Sequence, residues 1–152
     1  MQLRRKLSVG FLMAGIVALV WAAVVIAPFL VAMSRLADVQ ERIFMPFAEL
    51  RAEFLHNGFG VFYLEFREHS LLSDDNVERL LLLNEMPPKY ELTLMLETPG
   101  VTDKSIDTLA KLTTVDYLFV DKSGMTADGV AKLESLLPPG TVSHYTWEQD
   151  GG

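Results

Sequence analysis

The side chains able to do chemistry in this 152-residue sequence stand at spacings that suit no reaction. The three histidines, His56, His69 and His144, fall in different segments, whereas a zinc site needs about three or four ligands converging on one point. Cysteine is absent, which removes disulfides and thiolate metal sites but selects no compartment. Ser73, Ser105 and Ser123 have no neighbouring histidine in a nucleophile pattern. Gly58-x-Gly60 leads into a strand-like run rather than a helix, so it does not suit a dinucleotide turn. Asp74-Asp75 and Asp103 sit where helices are predicted to begin, and a carboxylate there complements the helix dipole. They are read as capping groups. The sequence therefore predicts no catalytic, cofactor-binding or metal-binding residue, and a protein that is not an enzyme.

Charge divides the chain into two unlike parts. Residues 1–33 carry Arg4, Arg5 and Lys6 and no acid, while the remainder carries 10 Lys+Arg against 20 Asp+Glu, a net of −10. So acidic a region repels nucleic acid and anionic lipid surfaces. About 120 residues remain after the apolar stretch, enough for one compact domain and too few for two.

From Val9 to Met33 no residue is charged. This run exceeds the roughly 20 residues needed to span hydrocarbon. Its leucine, isoleucine, valine and phenylalanine residues favour insertion by about 5 kcal/mol in sum. A cleaved signal peptide would have a shorter apolar core, of about 7–15 residues, and a small-x-small site, which Leu30-Val31-Ala32-Met33-Ser34 is not. The segment is read as a signal-anchor. The three leading cations place the N-terminus in the cytoplasm and residues 34–152 on the far side of the cell (inner) membrane, in a single-pass topology. Gly10, Ala14, Ala18 and Ala22 recur every fourth position, the small-xxx-small spacing that lets two helices approach. The pattern points to a homo-oligomer through this helix, or to nothing more than the abundance of alanine in such helices.

Beyond the anchor, Leu36, Val39, Ile43, Phe47, Leu50 and Phe54 form one apolar stripe at helical spacing, predicting an amphipathic helix over residues 35–57. Pro46 implies a kink or a fresh helix start, and Asn57-Gly58 a stop. The stripe must pack on something: it caps the downstream domain, or it pairs with another copy as a stalk.

The last eighty residues are self-similar. Val101-Thr102-Asp103-Lys104-Ser105-Ile106-Asp107-Thr108-Leu109 aligns with Met125-Thr126-Ala127-Asp128-Gly129-Val130-Ala131-Lys132-Leu133 at an offset of 24, and Leu72-Ser73-Asp74 precedes the first of these by 29. Each copy joins a short Leu-x-Leu strand to a turn, a candidate cap (Ser73, Thr102 or Thr126) and a helix face. The faces are Val77/Leu80/Leu83, Ile106/Leu109/Leu112 and Val130/Leu133/Leu136. Strands are predicted near 62–66, 91–96, 116–120 and 141–145, and helices near 74–84, 103–112 and 127–137. One such unit cannot bury its own apolar side, but stacked units share a core.

From Leu94-x-Leu96 through Val101-Thr102-Asp103 and Ile106-x-x-Leu109, and again from Leu118-x-Val120 through Met125-Thr126 and Gly129-Val130-x-x-Leu133, the chain resembles bacterial leucine-rich repeats. Leu136-Leu137-Pro138-Pro139-Gly140-Thr141-Val142 is similar to the end of such an array. The likeness covers about residues 60–145. It departs from the family's pattern at Pro99, where a polar turn residue would stand, at Ala127 in place of aspartate, and at the longer Asn84-Glu85-Met86-Pro87-Pro88 loop.

Charge, hydropathy and periodicity predict residues 1–8 as cytoplasmic, 9–33 as a transmembrane helix, 34–58 as a juxtamembrane amphipathic helix and 147–152 as a loose tail; the resemblance implies that residues 59–146 are a short leucine-rich-repeat-like strand/helix array, so that the fold is α/β. It also implies that recognition uses the strand residues alternating with the leucines: Tyr63, Glu65, Thr93, Met95, Tyr117 and Phe119. Those side chains are a protein-binding face, or they are covered by residues 35–57. The predicted function is a membrane-tethered protein–protein interaction module with a protein partner and the lipid bilayer as its contacts and no nucleic acid. The alternative is a structural subunit of a membrane complex, assembled through its helices.

Overall fold

The computed structural model describes residues 17–57 and 60–143. The chain divides into two compact units, Met1–Asp38 and Val39–Gly152. In the first, the described residues are helical. They belong to the run Val17–Leu50 (α1), whose N-terminal part is long and apolar enough to cross a membrane. Side chains from Val17 to Met33 are exposed, apart from half-buried Ala22.

Two π-helical turns interrupt α1, and each precedes a proline. The turn Ala22–Ile26 closes with the Ala27 amide on the Ala22 carbonyl, just before Pro28. The turn Gln40–Phe44 closes with the Met45 amide on the Gln40 carbonyl, just before Pro46. A proline ring collides with the carbonyl four residues back, and a widened turn there makes room. Pro46 then opens the 3-10 turn Met45–Leu50.

The second unit begins with the end of this helix. Val39, Ile43, Phe44, Phe47 and Leu50 are all buried. The helix predicted to reach residue 57 stops at Leu50. Arg51 takes the left-handed conformation (φ 57°), its amide bonds the Ala48 carbonyl, and the Ala52 amide bonds the Phe47 carbonyl. This is a Schellman ending with arginine where glycine is usual. Glu53–His56 is a strand, β1, not helix, and Asn57 closes a hairpin rather than a helix, its amide bonding the Val61 carbonyl.

One five-stranded sheet follows the order β1-β2-β3-β4-β5, with β2 at Val61–Phe66, β3 at Glu91–Leu96, β4 at Tyr117–Phe119 and β5 at Val142–Ser143. β1 is antiparallel to β2, and the other neighbours are parallel. Register partners such as Leu64, Leu94 and Leu118 repeat along the sheet. Phe62, Leu64, Phe66, Leu92, Leu94, Leu96 and Leu118 turn to one side and are fully buried there. The helical segments supply the opposing layer: a 3-10 helix Val77–Glu85, a 3-10 turn Asp103–Ser105 running into α2 (Ile106–Leu109), and α3 (Ala127–Leu136). The first was predicted as an ordinary helix. Its Val77/Leu80/Leu83 spacing suits three residues per turn, which puts all three on one line into the core. Leu136 was predicted in the core but is 49% exposed, and Leu137 is buried in its place as the chain turns extended before Pro138.

The stripe of α1 packs on the apolar side of the sheet. Phe44 stacks on Phe62 at 5.3 Å and on Phe54 at 4.3 Å, and Phe47 meets Phe66 edge-on at 6.0 Å. Arg79 ties the 3-10 helix to this segment through the Pro46 carbonyl and the Glu49 carboxylate.

Successive turns are joined by carboxylates. Asp74 accepts from the Thr102 amide (2.8 Å), the Thr102 hydroxyl (2.6 Å) and the Ser105 hydroxyl. Asp103 accepts from the Thr126 amide (2.8 Å) and hydroxyl (2.6 Å). The sequence predicts these aspartates as caps of their own helices; each instead holds the cap residue of the next segment. Thr126 in turn accepts from the Gly129 amide. Ser73 caps nothing; the residue before the first 3-10 helix is Asn76, whose side-chain oxygen accepts from the Ser73 amide. Thr98, next to Pro99, is the polar turn residue, with its buried hydroxyl reaching the Leu72 carbonyl.

Two expected outcomes follow. Burial alone would push the Asp74 carboxyl up, but bonds from Ser105 and Thr102 hold it below its ordinary value, and those from Thr126 do the same for Asp103. Both folded-state values thus lie under the unfolded value of about 3.9, so the unfolded chain binds more protons as acid is added. Stability is complete above about pH 5 and declines as pH falls through the depressed values. In urea titrations of the detergent-solubilised protein, Asp74→Asn flattens that decline; equal slopes for variant and parent refute the clamp. Second, a Cβ at residue 129 would collide with the Asp103 carboxylate. Glycine to alanine within a helix ordinarily gains up to about 1 kcal/mol. Gly129→Ala should destabilise the parent yet stabilise an Asp103→Ala background, and the same sign in both backgrounds would be the contrary result.

Candidate interaction surface

Strand alternation sends one set of side chains into the core and the other to the opposite face of the sheet. Register aligns the second set in rows: Leu55, Tyr63, Thr93 and Tyr117 in one, and Glu53, Glu65, Met95, Phe119 and Ser143 in the next. Neighbours within a row are about 4.8 Å apart. All six residues predicted for a protein-binding face, Tyr63, Glu65, Thr93, Met95, Tyr117 and Phe119, therefore share this surface. The stripe of α1 does not cover it, because Phe44 and Phe47 lie against Phe62 and Phe66 on the other side.

The six differ in how far they reach solvent. Tyr63 is 38% and Tyr117 45% exposed, while Glu65, Met95 and Phe119 are half-buried. Thr93, predicted to be open, is only 6% exposed; a short side chain between two tyrosines is covered by them. Leu55, 62% exposed, joins the surface although the sequence reading put it in a helix; only the β1–β2 register reveals it.

At the carboxyl ends of β2, β3 and β4 lies a cleft of about 540 Å³ lined by Arg67, Glu68, His69, Glu97, Pro99 and Lys122. Ligands of parallel sheets commonly bind beyond the carboxyl ends of the strands. Its cations are paired: Arg67 with Glu65 at 2.9 Å and Glu53 at 3.3 Å, and Lys122 with Glu97 at 3.4 Å. Glu65, by hydrogen bond and by charge, and Glu53 together raise the Arg67 guanidinium above its ordinary value. Such a cleft can bind polar groups, and it contains no nucleophile–base pair. These residues escaped the sequence reading because they follow three different strands, and only the topology gathers them.

Comparison with family models, curated proteins and solved structures finds no match. The surface must be read from its own chemistry. Among the described residues no group of three or more His, Asp or Glu is placed to hold a metal ion. His56 lies beside Phe54 and Phe62, and His69 lines the cleft; His144 falls outside the described residues. Of the small residues proposed for helix pairing, Ala18 is exposed on α1 and Ala22 half-buried, while Gly10 and Ala14 fall outside the described residues.

Adjacent residues of β4 test the two-sidedness of the sheet. Leu118→Ala should cost about 2–5 kcal/mol in urea unfolding. Tyr117→Ala should cost no more than about 1 kcal/mol. The reverse order would mean that the tyrosine face is the packed one.

Proposed function

We propose that this protein is a membrane-tethered protein–protein interaction module, single-pass in the cell (inner) membrane, whose acidic extracytoplasmic domain binds a partner through the open sheet face. Within the unit Val39–Gly152, residues 59–146 are read as a short leucine-rich-repeat-like array. The regular carboxylate links from Asp74 and Asp103, the parallel register and the leucine-lined core support that reading. The apolar N-terminal helix, preceded by Arg4, Arg5 and Lys6, supports a tether with a cytoplasmic N-terminus.

One observation carries the function. The protein has an amphipathic segment able to cover the Tyr63–Tyr117 face and uses it on the other side, leaving aromatic and methionine side chains accessible next to one another. Surfaces of that composition are favoured at protein interfaces. The competing reading, a structural subunit joined to its complex through the membrane helix, draws on the exposed apolar side chains from Val17 to Met33.

Capture from detergent-solubilised membranes, followed by mass spectrometry, separates the two. The fragment must begin at residue 39, because Val39, Ile43, Phe47 and β1 belong to the domain; a cut at residue 58 would remove them. Residues 39–152 should retain the partner of the full-length protein, and Tyr117→Asp with Phe119→Asp should release it. Retention by residues 1–38 alone, with both variants still binding, would establish the subunit reading instead.

A further inference from the structure

We propose that the cleft beyond the carboxyl ends of β2, β3 and β4 binds a small zwitterion, a molecule carrying both an ammonium and a carboxylate, such as a free amino acid or a dipeptide. The proposal goes beyond the sheet-face reading and does not depend on it. The cleft measures about 540 Å³. Small-molecule sites usually measure about 300–1,000 Å³. Its walls come from the turns that follow three neighbouring parallel strands: Arg67, Glu68 and His69 after β2, Glu97 and Pro99 after β3, and Lys122 after β4. The charges of this lining balance, with Arg67 and Lys122 set against Glu68 and Glu97. A simple anion would meet those carboxylates and the field of a region with a net of −10, and a simple cation would meet the guanidinium and the ammonium. A molecule bearing both charges pairs each with its opposite.

The lining keeps bonding capacity of both signs. Glu65 takes the Arg67 Nε and Nη2, and Glu53 approaches Nη2, so Nη1 enters none of the bonds found among the described residues. The Lys122 Nζ meets the Glu97 Oε2 at 3.4 Å, which leaves protons on the ammonium and the other oxygen of Glu97 to bond elsewhere. The side chains of Glu68 and His69 are exposed and take part in none of the ion pairs found among the described residues. Arg67, His69 and Lys122 therefore offer donors to a carboxylate, while Glu68 and Glu97 offer acceptors to an ammonium. Lys122 also takes the left-handed conformation (φ 56°), where a lysine is uncommon and a glycine would be unstrained. Backbone strain of this kind gathers at ligand clamps.

The test uses the full-length protein in micelles near neutral pH, with its histidine side chains isotopically labelled. His69 in the cleft then reports occupancy by NMR, and His56 on β1 serves as the reference. The probes are glycine and glycylglycine, each accompanied by its N-acetyl derivative, which keeps only the carboxylate, and its amide, which keeps only the ammonium. At least one of the two zwitterions should shift His69 saturably, and both of its derivatives should bind about tenfold more weakly or worse. Tighter binding of glycine assigns the site to free amino acids, tighter binding of glycylglycine assigns it to short peptides, and either order supports the shared chemistry. Glu68→Gln should weaken the zwitterion about tenfold. Lys122→Gly should weaken it as much while the urea midpoint holds or rises, because glycine relieves the left-handed turn. Circular dichroism identical to the parent certifies both variants as folded. No saturable shift with either zwitterion, a derivative that binds as tightly as its parent, or an affinity unchanged in both variants overturns the proposal. The sheet-face reading is judged separately, by partner capture with the Tyr117→Asp, Phe119→Asp protein.

Discussion

A strand, a turn and one short helix cannot bury a row of leucines by themselves, so every such segment here depends on being held at a fixed height against the next. The holding group is a carboxylate. Asp74 and Asp103 each reach the backbone amide and hydroxyl of a threonine one segment on, at the same pair of distances, 2.8 and 2.6 Å. Hydrogen bonds to a charged acceptor are the stronger kind, and two from one residue fix orientation as well as separation. Features that look unrelated follow from this. Gly129 is glycine because Asp103 occupies the space of its side chain, whereas Ser105, at the matching position one segment earlier, offers its hydroxyl to Asp74. Ala127, at the position of Asp74 and Asp103, has no carboxylate, and among the described residues no segment follows β5 for one to hold.

The start of the sheet poses a different problem, solved with rings. β2 would present Phe62 and Phe66 to water on its core side, and Phe44, Phe47 and Phe54 cover them. β1 pairs antiparallel along the β2 edge, satisfying backbone groups that would otherwise invite another strand. The same helix contains both prolines that follow widened turns, one among exposed apolar residues and one among buried ones. The local cause is common to both settings: a ring that cannot fit against the carbonyl four residues back.

Much of this was legible in the sequence, because periodicity records burial. The strands around Leu64, Leu94 and Leu118, the offset of 24 between the Thr102 and Thr126 turns, and the apolar stripe from Val39 to Leu50 could all be read from spacing. The helix end could not. A Schellman ending announces itself by glycine, and here it is built on Arg51, so the reading ran on to the next conventional stop at Asn57-Gly58 and absorbed β1. Phe54 reinforced the error, because its ring joins the cluster around Phe44 and Phe62 from a strand as readily as from a helix. The aspartates were misassigned for a similar reason. A carboxylate near a helix start looks the same in sequence whether it serves its own helix or its neighbour's threonine, and only the stacking decides. The six face residues were placed by alternation alone, which is rigid; their degree of exposure depends on side-chain size across strands, and there Thr93 departed.

Charge is distributed differently over the two sides of the domain. On the helical side, cations and carboxylates are interspersed: Glu78 beside Arg79, and Asp107 within 3.8 Å of Lys132. Such mixing serves solubility without favouring a partner. On the sheet face the carboxylates Glu53, Glu65, Glu91 and Glu97 span the strands, and Arg67 and Lys122 lie at one end, held by Glu53, Glu65 and Glu97. Were the acids present only to keep an aromatic surface from self-association, their position relative to Tyr63 and Tyr117 would be of no consequence. Their arrangement leaves Glu91 exposed at the opposite end, outside the ion pairs found among the described residues, so the charge on this face is uneven along the strands.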